Sequence, residues 1–224
     1  MGDTENIRKT AAKVLSCVEK VSSFATSIDP LFGIVTSLVA VVRKGVYDEE
    51  ANALEEEFQT VHTKLESISQ QNRQTLKQIR IDEIHETFSK YEEYLKHQYQ
   101  AFSSMVEMVK TDPEHKESHL QDFQDTYERD KGELSLDVFY YGVMGTRRAF
   151  GRPLLKVYME HCDGNIKVME QRCSHLTNLF HIGLISLMAY TAVIEDDEDD
   201  VKCKWTQRVV DIQAKMQEVL SQCH

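Results

Sequence analysis

From Val46 to Asp112 the chain runs for sixty-seven residues without a glycine or a proline, and apolar residues recur at helical spacing through most of it. At roughly 1.5 Å of rise per residue, an unbroken helix of that size would reach about 100 Å, several times the usual helix of a globular domain. Such a stretch leaves few options besides long packed helices. Nine glycines and three prolines in 224 residues are also too few for the tight turns of a sandwich or barrel. The expected fold is therefore all-α: one domain over 1–224, an elongated bundle of long helices.

The apolar seam gives the element order. Ile7, Ala11, Val14, Val18, Val21 and Ala25 alternate four and three residues apart, a heptad pattern suited to coiled-coil packing. Asp29-Pro30 then reads as a helix start, with an uncharged segment from Leu31 to Val42 and a stop at Arg43-Lys44-Gly45. Within the long stretch, Leu54, Phe58, Val61, Leu65 and Ile68 form one seam, and Tyr91, Leu95, Tyr99, Phe102, Val106 and Val109 another. Phase is lost around Ile79, Ile81 and Ile84, so a bend or a junction between two helices belongs there. Glu86 with Lys90 and Glu92 with Lys96 are favourably spaced one turn apart.

Asp112-Pro113 repeats the start signal before Leu120, Phe123 and Tyr127. The texture then changes. Leu134 to Pro153 contains Gly142, Gly145 and Gly151 together with the β-prone run Val138-Phe139-Tyr140-Tyr141, and an irregular loop is expected around 134–153. Farther on, Cys173 to Ile194 has no formally charged side chain, six consecutive acids follow from Glu195 to Asp200, and Val201, Trp205, Val209, Ile212, Met216 and Val219 mark a last amphipathic helix.

Charge and cysteine usage narrow the function classes. A formal charge of -11 argues against general affinity for nucleic acid or anionic membrane, though it leaves room for local basic patches. The amino-terminal residues carry no basic and apolar leader, and the five cysteines are an odd count without close pairing, so a cytoplasmic protein with reduced thiols is expected. His161, Cys162, Cys173 and His175 are ligand types, but the eleven-residue step from Cys162 to Cys173 does not match zinc spacing, and no metal or cofactor is expected. No motif for a nucleophile elbow, dinucleotide, phosphate loop or metalloprotease occurs, so the expectation is not an enzyme, with no catalytic residue.

Two segments could meet a partner. Cys173 to Ile194 would span roughly 33 Å as helix, enough for a bilayer core, yet its histidines, Asn178, Ser186 and Thr191 suit a central helix surrounded by others. Phe139, Tyr140, Tyr141, Arg147, Arg148 and Arg152 mix aromatic and guanidinium groups as a lipid-contacting or partner-contacting loop does. The plainer account has those aromatics packed on the bundle and those arginines paired with acids.

The strings Asp29 to Gly45, Gln78 to Tyr99, Leu136 to Gly145 and Arg172 to Val193 resemble the rapunzel family of bony fishes, a likeness running over nearly the whole chain. More distantly the chain resembles the helical region of cephalotoxin-like proteins of cuttlefish venom. The first resemblance implies an all-α protein without known catalytic residues, associated with fin and skeletal (bone) development; the long heptad-like seams add the expectation that it acts through protein partners or self-association. The second implies the alternative of a membrane-active helical bundle related to α-helical pore formers. Neither transfers a functional residue to a position in this chain.

Overall fold

The computed structural model describes residues 2–77, 80–147 and 151–224, and every regular element among them is helical. In chain order these are α1 (Gly2–Cys17), α2 (Phe24–Lys44), α3 (Glu49–Leu76), α4 (Asp82–Thr111), α5 (Lys116–Arg129), α6 (Leu134–Met144), α7 (Leu154–Cys162), α8 (Ile166–Val193) and α9 (Glu198–Leu220), with short 3-10 turns at Val21–Ser23 and Pro113–His115.

The long stretch is two helices folded back on one another. Phe58 of α3 meets Phe102 of α4 edge-on at 5.5 Å between ring centres, and one turn nearer the connection His62 Nδ1 lies 2.6 Å from the Tyr99 hydroxyl. At the other end Lys110 Nζ donates to Glu55 at 3.1 Å. The pairing is antiparallel, so a reach of about 100 Å becomes two helices of roughly 45 Å each. The seam slips where α3 ends and α4 begins; Ile79 itself lies outside the described residues.

Helix α8 is the hub. It packs against α2, α3, α4, α5, α6, α7 and α9, and nearly all of it from Leu176 to Ala189 is buried. Its polar side chains find partners within this core. Ser186 and Thr191 hydroxyls donate to carbonyls one turn back, at 3.0 and 2.8 Å, and Asn178 Nδ2 donates to the Leu65 carbonyl of α3 at 3.1 Å. Each bond removes the desolvation cost that an orphan polar group would carry. The uncharged segment is thus core, as its polar content suggested.

Two boundaries differ from the sequence expectation. Asp29-Pro30 does not start a helix: α2 already runs from Phe24, and Pro30 lies inside it. Phe24 and Ile28 are fully buried and carry the core seam through the Pro30 turn, while Thr26, whose carbonyl loses its donor, is exposed and can be solvated. Likewise 134–144, anticipated as irregular and β-prone, is the helix α6. Leu136, Val138, Phe139 and Val143 are buried at helical spacing, so packing overrides strand propensity, and Gly145 at φ 69° ends the helix in a left-handed cap. Irregular backbone among the described residues of that region is confined to 145–147 and 151–153.

Other stops and starts follow local chemistry. Gly45, at φ 66°, closes α2 by donating its N–H to the Val41 carbonyl at 2.9 Å. Asp197 caps α9 by accepting from Asp200 N at 3.1 Å, and the acids around it face the positive end of the helix dipole. The expected α9 seam is the buried one: Trp205, Val209, Ile212 and Met216 are all fully enclosed.

Candidate functional site

At the turn of the α3–α4 hairpin the helices enclose a cleft of about 390 Å³. Arg73 from the end of α3, and Lys77 and Arg80 from the connection, are exposed at its mouth. One wall of its interior is apolar: Ile81 and Phe88 come from the α4 side, Phe139 from α6 and Tyr158 from α7, all at least nine-tenths buried, while Asn72, Glu92, Arg172 and His175 supply the polar part of the lining. Gly142 makes room for this wall, because a Cβ there would stand 2.8 Å from the Phe88 ring.

Charge in the cleft is one-sided. Among the described residues, Arg73, Lys77, Arg80, Lys96 and Arg172 line it against a single carboxylate, Glu92, in a chain whose net charge is -11. Lys96 Nζ donates to Glu92 Oε1 at 2.9 Å, and His175 Nε2 of α8 faces the same oxygen at 3.2 Å. Burial would raise the Glu92 pKa, but the hydrogen bond and charge of His175, joined by those of Lys96, outweigh it and hold the group at about 2. Glu92 is therefore an ionised, already neutralised group. Arg172 lies mostly buried with its guanidinium 5.2 Å from the Tyr158 ring centre, and burial lowers its pKa.

A histidine oriented by a carboxylate inside a cleft is also the beginning of acid–base machinery. Here, among the described residues, His175 makes no hydrogen bond to a hydroxyl or thiol, and Glu92 is held far from the neutral range that proton transfer favours. The arrangement can bind and orient an anion; it does not assemble an activated nucleophile.

The aromatic and arginine residues singled out in the sequence are separated. Phe139 points into the cleft wall, 5.4 Å from Phe88 between ring centres. Tyr140 and Tyr141 lie on the opposite side of α6, facing α9, where Arg208 stacks over Tyr140 at 4.2 Å and donates to Asp137 at 2.6 Å. Arg147 covers the Tyr141 ring at 3.9 Å and donates to its hydroxyl at 3.1 Å. Arg152 bridges Glu83 and Glu160 at 2.8 and 2.7 Å, and those hydrogen bonds raise its pKa. Arg148 lies outside the described residues. Lys90, expected to pair with Glu86, instead reaches the Tyr91 ring at 5.0 Å.

The sequence reading did not find the cleft. The signal that could have pointed to it is the spacing of Arg73, Lys77 and Arg80, a basic stripe set where the hydrophobic seam loses phase.

This is a helical bundle wrapped around one apolar helix, and residues 46–224 match the family of the cephalotoxin-like middle helical domain. The full chain is 39% identical over 221 residues to protein rapunzel of Danio rerio, covering 99% of this chain and 96% of that protein. The chain belongs to the rapunzel family and carries a cephalotoxin-like middle helical domain. No solved structure matches it significantly.

Proposed function

We propose that the protein is a non-enzymatic helical bundle that acts in the cytoplasm through contacts with protein partners, in fin and skeletal (bone) growth. The observation that carries this reading is the burial of α8: the long uncharged segment is used up as core, so the outer faces of the surrounding helices are what another molecule meets. Similarity to rapunzel along the whole chain supports the developmental setting. Five free thiols, four of them buried, suit a reducing compartment. Raising or removing the chain in the developing fin and skeleton of its own fish is expected to change growth of both tissues; a verified change in its level with no effect on either tissue would contradict the reading.

A second reading is a membrane-active bundle. It is favoured by a specific pairing, since α2 and α8 are both long and apolar enough to cross a membrane by length and composition, and they lie side by side. Ser27 Oγ of α2 is 2.8 Å from His181 Nε2 of α8. Release of an entrapped dye from liposomes on addition of the purified protein would support this reading over the first.

A further inference from the structure

We propose that the cleft at the α3–α4 turn binds a single-chain anionic amphiphile, a carboxylate or monophosphate head on an acyl chain. Three observations meet there. Basic side chains stand at the mouth, and among the described residues Arg73 and Lys77 spend neither their charge nor their hydrogen bonds on another side chain. Arg80 is held at 2.8 Å by Asp82 and contributes a weaker field. The only carboxylate among the described residues of the lining, Glu92, is occupied by Lys96 and His175, so it does not repel an incoming anion as a bare charge would.

Behind the mouth one wall is apolar and aromatic, formed by Ile81, Phe88, Phe139 and Tyr158, beside the polar side chains of Asn72, Glu92, Arg172 and His175. A free phosphate would leave that wall empty, whereas an acyl chain would cover it. The size favours a small occupant. About 390 Å³ falls at the low end of the roughly 300–1,000 Å³ typical of small-molecule sites and is too small for a docked helix or a two-chain lipid. Long-range attraction from the mouth and burial of the chain would act together, with the head fixed by the guanidinium and ammonium groups.

The test is calorimetric titration of the full chain with dodecanoate and, separately, a short lysophosphatidate, both below their micelle concentrations, with inorganic phosphate and dodecanol as controls. Saturable one-to-one binding is expected for at least one of the two anions, and which one binds assigns the head as carboxylate or phosphate. The exposed double variant R73E/K77E, its helicity checked by circular dichroism, is expected to bind at least about tenfold more weakly, and dodecanol likewise. Absence of saturable binding, binding unchanged in R73E/K77E, or inorganic phosphate binding as tightly as either amphiphile would each overturn the proposal.

Discussion

His175 on the central helix and Glu92 on α4 meet at 3.2 Å, tying the core of the bundle to its hairpin directly beneath the cleft. The pair, with Lys96, lowers the Glu92 pKa from its ordinary 4.5 to about 2 against the opposing effect of burial. A carboxylate depressed in the folded state contributes stability that is fully present above pH 4.5 and lost as pH falls through 2. Glu92→Gln is expected to destabilise the protein at pH 7 by on the order of 2 kcal/mol, allowing for partial solvent screening, and to flatten the acid limb below pH 4.5. Urea denaturation at pH 7 and pH 3.5 measures both effects; equal loss at the two pH values would contradict the assignment.

His181 makes a second, separate contribution to acid sensitivity. It is fully enclosed between α8 and α2, its Nε2 2.8 Å from Ser27 Oγ and its ring 4.9 Å from Phe24. Burial lowers its pKa from 6.5 to about 3, only partly opposed by the Thr177 backbone. The unfolded chain therefore takes up more protons between those values, so this stability is present above pH 6.5 and is lost progressively down to about pH 3. His181→Gln should cost stability at pH 7.5 but show a shallower decline between pH 6.5 and 4.5 than the parent chain. An unchanged slope in that interval would count against a neutral buried imidazole.

Glycine has opposite meanings in the two apolar helices. A Cβ at Gly183 of α8 would overlap Leu136 of α6 and stand 3.0 Å from Leu95 Cδ2 of α4, so the close crossing of three helices depends on its absence. At Gly33 of α2 nothing lies within 4 Å. Gly183→Ala is expected to destabilise by roughly 1–3 kcal/mol through overpacking, whereas Gly33→Ala should stabilise by roughly 0.5–1 kcal/mol through helix propensity. Thermal unfolding of the two variants gives the signs directly.

Gln98, buried on α4, closes the turn between α5 and α6. Its Nε2 lies 2.9 Å from the Asp130 carbonyl, with those of Gly132 and Tyr127 at 3.2 and 3.4 Å. Gln98→Leu keeps the bulk but removes this donor, while each carbonyl keeps another, Ser135 Oγ on Asp130, the Gly132 N–H on Tyr127 and the Ser135 N–H on Gly132, so the expected loss is roughly 0.5–1.5 kcal/mol. Hydrogen exchange should accelerate first around residues 127–136, and a uniform change over the chain would contradict a local role.

Where one face of one helix decides the pattern, the sequence was legible. Trp205, Val209, Ile212 and Met216 of α9 show it, and so do the paired seams of α3 and α4, because a period near 3.6 records burial directly. Two local signals misled for physical reasons. Pro30 is tolerated inside α2 because the carbonyl it frees is on an exposed turn, and Val138 to Tyr141 are helical because Leu136, Phe139 and Val143 must reach the core together. Of the cleft, only the basic stripe of Arg73, Lys77 and Arg80 left a mark in the sequence. The cleft draws on α3, α4, α6, α7 and α8, and neither the neutralisation of Glu92 by His175 nor the approach of Phe88 to Gly142 has any trace in linear spacing.

The central claim is that α8 remains the core of the bundle while the outer faces do the work. Its most direct test is hydrogen–deuterium exchange of the α8 amides, with and without neutral and anionic liposomes, at pH 7 and pH 5, with dye release followed in parallel. The account predicts that amides from Leu176 to Ala189 stay the slowest in the chain in every condition and that no dye is released. Loss of the α8 contacts to α2, α3 and α4 on adding liposomes, seen as faster exchange in those partner helices together with dye release, would contradict it.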